Sequence, residues 1–147
     1  MPAFQPEVQD VVLVTARVLS GLLSGLYLGF VVAVMPALRR LDDTAFTDAM
    51  NRINEAIVNP VFLLLFLGTP VACCALLAWD RGPETLVAAG TAVLAVVLTA
   101  AVNVPLNDAL AADGDRAAFE RPWNRSHALR TAICATTFVA TLLVTLP

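Results

Sequence analysis

The sequence predicts an all-α protein, a four-helix transmembrane bundle with a short amphipathic interfacial helix between spans one and two. Four apolar runs, a mean hydropathy of +0.77 and a charged fraction of only 14% predict this fold. A helix rises about 1.5 Å per residue, so about 20 apolar residues cross a hydrocarbon core of about 30 Å. Little of the 147-residue chain is left for a soluble domain. We therefore expect a single integral-membrane domain over residues 1-147.

The four runs predict spans at residues 11–35, 60–79, 85–106 and 128–146. In the first run, Gly21, Gly25 and Gly29 recur every four residues, a spacing that lets a second helix approach closely. That helix could belong to the same bundle or to another copy of the chain in a homo-oligomer. Met35-Pro36 is expected to end the first span, because proline cannot continue the helical hydrogen bonds. We find no convincing sequence repeat between the two halves.

The segment between the first two runs predicts the amphipathic helix. Its apolar residues recur at helical spacing and are Phe46, Met50, Ile53 and Ile57. Asp43 or Thr44 could cap its start. A helix of this kind is expected to lie at the membrane interface.

Charge predicts the orientation of the bundle. All nine basic residues are Arg, and seven of them fall in or beside the first and third connections. The exceptions are Arg17 and Arg81, and we expect Arg17 to reach lipid headgroups or to pair with Asp80 or Glu84. The positive-inside rule then places these connections in the cytoplasm, with a multi-pass chain in the inner membrane and both termini outside. The net charge of −3, without a basic block, gives no support to nucleic-acid binding, so we expect no nucleic-acid partner.

Polar residues converge on the cytoplasmic end of this predicted bundle. They are Asn54 and Asn59 before span two, Asn103 and Asn107 in or just after span three, and His127 and Arg130 at the start of span four. Buried polar groups cost several kcal/mol unless they are partnered, so these side chains should form a network or line a cavity. Simpler roles remain open, namely snorkelling to lipid phosphate, helix capping or helix–helix hydrogen bonding.

Several site classes are disfavoured by composition. One His and three Cys do not supply the usual ligands of a zinc site, and the cysteines are expected to pack as small apolar residues. No phosphate-binding loop is present. No Asp or Glu lies deep in a span, which argues against a proton-coupled exporter.

The same residues resemble a known family over nearly the whole chain. The similarity includes the run at 34–42 and the later groups Asn54, Asn59-Pro60, Phe62, Phe66, Asn103-Val104-Pro105-Leu106-Asn107, Trp123 and Arg130-Thr131. In this order and spacing, they resemble the small four-span membrane proteins that include the anthrone oxygenases. The chain departs from the pattern at His127, where the family would be expected to carry Asn.

The resemblance implies a membrane-embedded monooxygenase of aromatic polyketide biosynthesis. Such an oxidoreductase converts an anthrone-like substrate to a quinone with O2, without a metal or another cofactor. Its partners would be an apolar aromatic small molecule, O2 and membrane lipid. The alternative is a non-catalytic membrane protein that binds a quinone or lipid, or assists a partner complex.

Under this resemblance, four residues would be catalytic. His127 would be the general base, because an ordinary histidine titrates near neutral pH. Arg130, with Asn103 or Asn107, would hold the enolate oxygen of the substrate.

Five further residues would bind the substrate. Asn54 or Asn59 would orient its hydroxyl groups. Phe62, Phe66 and Trp123 would stack on its rings. Trp123 could equally be an interfacial anchor.

Overall fold

The computed structural model describes residues 7–145, which are helical almost throughout and contain no β-strand. The α-helices are α1 (Val8–Gly29), α2 (Met35–Leu38), α3 (Asp43–Ile57), α4 (Pro60–Leu76), α5 (Pro83–Leu98), α6 (Val104–Asp113) and α7 (Arg116–Leu143). Two π turns of five residues join α1 to α2 and α5 to α6, at Phe30–Val34 and Thr99–Asn103. Helix α7 begins well before the expected residue 128, and the expected end of that span at Leu146 lies outside the described residues.

The four long helices pack as a bundle in which each touches two neighbours. Helix α1 contacts α4 and α7, and α5 contacts the same two helices. At the end that carries the α4–α5 turn, the core consists largely of small residues such as Ala16, Cys73 and Ala88. Small residues let helix backbones approach closely. The opposite end holds the larger side chains Met50 and Trp123.

The outer surface of the bundle is apolar, and polar side chains lie inside it. Leu22, Leu64 and Leu142 are exposed, whereas Thr137 and Thr141 are buried. Two helical stretches, Val8–Leu38 and Pro83–Asp113, are long and apolar enough to cross a membrane. A third is added if α3 and α4, which meet at a bend of 67°, count as one span. Helix α7 does not qualify because its polar stripe lowers its apolar character, so length and composition alone do not establish four spans.

The expectation that Pro36 ends the first span is wrong. The helix continues to Leu38, and the same happens at Pro105 in α6. Before each proline, a backbone N–H donates to the carbonyl five residues back, from Met35 to Phe30 and from Val104 to Thr99. Each proline is then the second residue of a new helix, where no N–H is needed.

The two halves of the chain do repeat a local structure. Asp42 accepts a hydrogen bond from the Ala45 N–H at 2.9 Å and caps α3, and Asp115 caps α7 through the Ala118 N–H at 3.0 Å. The expected cap at Asp43 or Thr44 is therefore wrong by one or two positions. Four residues after each cap stand Phe46 and Phe119, whose rings meet edge to face at 6.2 Å between centroids. Counted from the two caps, Asn54 occupies the same position in the first half as His127 in the second, and Ile57 the same position as Arg130.

The expected amphipathic helix is α3, and its apolar side packs on protein. Phe46 and Met50 are fully buried in a core shared with α6 and α7. Arg116 fixes the connection before α3, donating to the backbone carbonyls of Leu41 at 2.8 Å and Arg39 at 3.1 Å. Its hydrogen bond to Glu120, together with nearby carboxylates, raises the pKa of Arg116.

Arg17 does not pair with a carboxylate. It donates to the carbonyls of Thr141 and Val144, both at 2.9 Å, and so caps the C-terminal end of α7. In the glycine stripe, a Cβ at Gly21 would meet Phe138 at 3.0 Å, whereas Gly25 and Gly29 face open space. Cys73, Cys74 and Cys134 are free thiols, and Cys74 is exposed.

Candidate functional site

An inner cavity of about 120 Å³ lies at the end of the bundle that carries the connections after α2 and α6. Helix α1, both π turns and helices α3, α4, α6 and α7 contribute to its wall. Its lining residues are Leu26, Tyr27, Phe30, Ile53, Asn54, Ile57, Val58, Phe62, Thr99, Asn103, Val104, Asn107, Trp123, His127 and Arg130. Most of this wall is apolar or aromatic, with a few polar groups among the rings, as is typical of a small-molecule site.

His127 and Arg130 form a buried pair on α7. Nε of Arg130 donates to Nδ1 of His127 at 2.9 Å, and Nε2 of His127 lies 3.0 Å from the carbonyl oxygen of Tyr27. Arginine has only donors, so Nδ1 must accept and Nε2 must carry the proton that is donated to Tyr27. The imidazole is therefore neutral in this arrangement, and both its nitrogens are engaged.

The guanidinium of Arg130 is held by aromatic rings and not by an acid. It lies 4.4 Å from the centroid of the Tyr27 ring and 5.7 Å from that of Trp123, and one terminal nitrogen donates to Thr99 Oγ1 at 3.3 Å. The residue is only 8% exposed. Among residues 7–145, the ion pairs are made by Arg39 and Arg116, and none involves Arg130. A buried charge without a counter-charge is costly, so this site favours an anion.

The two asparagines of the α5–α6 segment turn their carbonyl oxygens toward the protein. Oδ1 of Asn103 accepts from the Ser126 hydroxyl at 2.9 Å, and Oδ1 of Asn107 accepts from the Trp123 indole N–H at 2.8 Å. Trp123 in turn stacks on His127, with centroids 4.7 Å apart. Asn107 therefore positions the indole, whereas Asn103 keeps its amide N–H groups for the cavity.

Polar atoms without a protein partner surround the cavity. Within the described residues, the buried Nδ2 atoms of Asn54 and Asn103 and the hydroxyl of Tyr27 have no hydrogen-bond partner. Buried polar groups are usually paired, so unpaired ones in a cavity wall point to a bound molecule or water. Two of these three atoms are donors only, which again suits a ligand that carries acceptor oxygens.

Seven of the nine predicted site residues line this one cavity, namely His127, Arg130, Asn103, Asn107, Asn54, Phe62 and Trp123. The other two do not. Asn59 caps α4 by accepting from the Phe62 N–H at 3.0 Å, and Phe66 stacks behind Phe62. In the described part of the chain, no group of three or more His, Cys, Asp or Glu residues could hold a metal ion.

The sequence interpretation missed three lining residues that interact with the pair. Tyr27 and Phe30 come from α1 and the first π turn, and Thr99 from the second. Tyr27 had a usable signal, because it belongs to a polar stripe with Arg17, Ser20 and Ser24 on the first apolar run. Thr99 also had a signal, because it is a polar residue four positions before Asn103 in an apolar run, whereas Phe30 carried none among the apolar residues around it.

Comparison with known proteins assigns the family. Residues 46–140, more than half of the chain, match the family model described as anthrone oxygenase. The match runs from α3 into α7 and leaves out Tyr27 and Phe30. No curated protein and no solved structure matches the chain. By the family match, the chain belongs to the anthrone oxygenase family.

Proposed function

We propose that this protein is a membrane-embedded oxygenase that oxidises an anthrone-like aromatic molecule to a quinone with O2, without a cofactor. The observation that carries the proposal is Arg130, a buried guanidinium without a carboxylate partner in the described structure, set in an aromatic wall. The enolate of an anthrone is the anion that this site lacks. It is flat and apolar, and it concentrates negative charge on one oxygen.

The reaction needs few groups from the protein. Removal of one methylene proton from the anthrone gives an enolate that is electron-rich enough to reduce O2 by one electron. Recombination of the two radicals forms a peroxide at that carbon, and loss of water leaves the second carbonyl. The balance is one anthrone and one O2 to one quinone and one water. The enzyme has to bind the ring system, accept a proton and stabilise an oxyanion.

Arg130 and Asn103 would stabilise the enolate oxygen, with the free amide of Asn54 binding a second oxygen. His127 would accept the proton, although Nδ1 is occupied by Arg130 in the described structure. Movement of Arg130 toward the enolate would release that lone pair, so oxyanion binding and proton acceptance would be coupled. Asn107 would act as a positioning residue for Trp123.

Substrate binding has to enlarge the cavity. Its volume of about 120 Å³ is well below the ~300 to 1,000 Å³ of pockets that hold drug-sized ligands. Two lining residues, Val58 and Val104, are 65% and 45% exposed, and Val58 lies at the α3–α4 bend. An opening there would face the acyl chains in a membrane, which suits entry of an apolar aromatic and of O2 from lipid.

The proposed setting is a single four-span domain in the inner membrane, with both termini outside. The second half of α7 supports the fourth span, because it exposes Val139, Leu142 and Leu143 while it buries Thr131, Thr137 and Thr141. The end of the bundle with the cavity carries most of the arginines, which favours the cytoplasmic side. Helix α3 would then lie at the inner interface.

The test uses purified protein in lipid nanodiscs, treated with a chelator and supplied with a model anthrone under O2. We expect quinone formation and O2 uptake in equal amounts, above the background of heat-treated protein and of Arg130→Met. Quinone binding without turnover would favour the non-catalytic alternative. Activity that is lost on chelation and restored by a metal would refute cofactor independence.

A further inference from the structure

We propose that the proton taken from the substrate leaves through a side cleft on the other side of His127, between α2 and α7, and not back through the inner cavity. This inference rests on the proposed function and adds the route by which His127 releases the proton that it has accepted. The side cleft has a volume of about 360 Å³, and its wall includes Met35, Arg39, Asn124, His127 and Ala128.

His127 stands between the two spaces. Among the described residues, it is the one side chain that lines both the inner cavity and the side cleft. The imidazole is only 1% exposed, so it separates the two spaces and does not open either of them to bulk solvent. A proton acceptor in this position can receive from one side and release to the other.

The side cleft continues into a charged surface groove. Arg39, Asn124 and Ala128 line both the cleft and this groove, which has a volume of about 820 Å³. The groove carries Arg116, Glu120, Arg121 and Arg125, and such groups keep water at a protein surface. By contrast, no carboxylate lines the inner cavity, which therefore offers no second acceptor for the proton.

Electrostatics favours departure of the proton. Nδ1 of His127 lies 2.9 Å from Nε of Arg130 in the described structure, and both side chains line the inner cavity. Even after Arg130 turns toward the enolate, an imidazolium and a guanidinium would be neighbours in a low-dielectric site. Like charges at such a separation repel strongly. In the step proposed, the methylene C–H bond breaks, its electron pair stays on the enolate, and the proton binds the imidazole. The imidazolium then gives its Nε2 proton to water in the side cleft as the hydrogen bond from Nε2 to the Tyr27 carbonyl opens, and no electron moves.

Asn124 is placed to order that water. Its side chain makes no hydrogen bond to another described residue, and it lines the cleft and the groove next to Ala128. A free carboxamide offers both donors and an acceptor to a chain of water molecules.

The experiment isolates proton transfer from O2 chemistry. A model anthrone is incubated with the protein in D2O without oxygen, and deuterium uptake at its methylene carbon is followed by NMR. Ala128→Leu fills the side cleft, whereas Ala132→Leu adds the same atoms one turn further along an exposed face of α7. We expect exchange to slow by at least about tenfold in Ala128→Leu and to stay at the wild-type rate in Ala132→Leu, with equal quinone affinity in both. Wild-type exchange in Ala128→Leu would overturn the route.

A second measurement does not depend on catalysis. In a variant whose three cysteines are replaced by alanine, Asn124→Cys is expected to react with a charged, water-soluble thiol reagent, and Ala132→Cys is not. Equal labelling of the two positions, or no labelling at Asn124→Cys, would refute an aqueous cleft. If the wild type forms no quinone and exchanges no deuterium, the proposed function fails and the route fails with it. If the wild type forms quinone but Ala128→Leu exchanges normally, the route alone fails.

Discussion

Replacement of Arg130 by Met separates a catalytic role from a structural one. The substitution keeps the unbranched apolar stem as far as the position of Nε, and it removes the guanidinium group and its charge. The loss of an oxyanion-stabilising donor is expected to lower turnover by about 100- to 1,000-fold. The two hydrogen bonds to His127 and Thr99 are worth ~1.5 to 3 kcal/mol each, and the contact with Tyr27 adds about 2 kcal/mol. Removing the guanidinium also removes the cost of burying an unpaired charge, which is several kcal/mol and offsets these losses. We therefore expect the free energy of unfolding to change by less than about 2 kcal/mol.

The assay compares turnover per folded molecule with the melting temperature in the same nanodiscs. Arg17→Met is the matched control, because Arg17 donates only to the carbonyls of Thr141 and Val144. Those carbonyls lie about 17 and 21 Å from Arg130 along the helix axis, at about 1.5 Å per residue. We expect this control to lower the melting temperature and to leave turnover unchanged. If Arg130→Met instead melts far below the wild type and its folded fraction oxidises anthrone normally, Arg130 is a structural residue and the reasoning is wrong.

Three further predictions follow from single contacts. In His127→Asn, the carboxamide oxygen can take the place of Nδ1 and accept from Arg130, whereas the hydrogen bond of Nε2 to the Tyr27 carbonyl is lost. Quinone affinity should hold while turnover falls by about 100-fold, and an unchanged rate would show that His127 only positions Arg130. Asn59→Ala removes the cap of α4 and should lower the free energy of unfolding by about 1 kcal/mol without changing turnover. A large loss of turnover per folded molecule would instead show that Asn59 acts in the site. The hydrogen bond from the Thr85 hydroxyl, followed by the Gly82 N–H, lowers the pKa of Asp80 in the α4–α5 turn. A carboxyl group whose pKa is lowered by folding stabilises the fold at pH values above its unfolded-state pKa of about 3.9. This contribution is lost as the pH falls through the folded-state pKa. Thr85→Val should therefore melt below the wild type at neutral pH, with a difference that shrinks under acid conditions; a constant difference would exclude this linkage.

The sequence was sufficient to predict that polar residues meet, because side chains such as Asn103 and His127 inside apolar runs must find partners. The family resemblance indicated Phe62, Phe66 and Trp123 as ring contacts, and Phe62 and Trp123 line the cavity whereas Phe66 does not. Their exact partners were not predictable. The carbonyl of Tyr27, which binds His127, is a backbone group, and no residue type indicates it.

Pro36 was misread for a related reason. A proline in an apolar run usually marks the end of a helix, but at Pro36 and Pro105 a π turn shifts the hydrogen bonds by one residue and lets the helix continue. This shift is a property of the backbone and leaves no pattern in the sequence. The repeat between the halves was missed because its identical residues are scattered and the residues between them differ. Five residues recur in identical form, Asp42, Ala45, Phe46, Asn51 and Arg52 in the first half and Asp115, Ala118, Phe119, Asn124 and Arg125 in the second.

The repeat explains why the cavity lacks a counter-charge and suggests how to supply one. Where α7 carries His127 and Arg130, α3 carries Asn54 and Ile57, so the wall opposite the cation is neutral. Asn54→Asp would place a carboxylate there with almost no change in shape. The introduced carboxylate and a bound anionic ligand about 6 Å away would repel each other by about 3 kcal/mol at an effective dielectric constant of about 20. This repulsion lowers the affinity for the anion roughly 100-fold.

We therefore expect Asn54→Asp to bind an anionic hydroxyquinone about 100-fold more weakly than the wild type, while its melting temperature is equal or higher. Asn54→Leu removes the same hydrogen-bond donor without adding charge, and its loss of affinity should be closer to tenfold, about 1.4 kcal/mol. Calorimetry in nanodiscs measures both variants. If they lose affinity equally, the ligand is recognised by the amide and not by the uncompensated charge of Arg130. The case for an enolate-binding site would then fail, since a neutral ligand would fit the cavity as well.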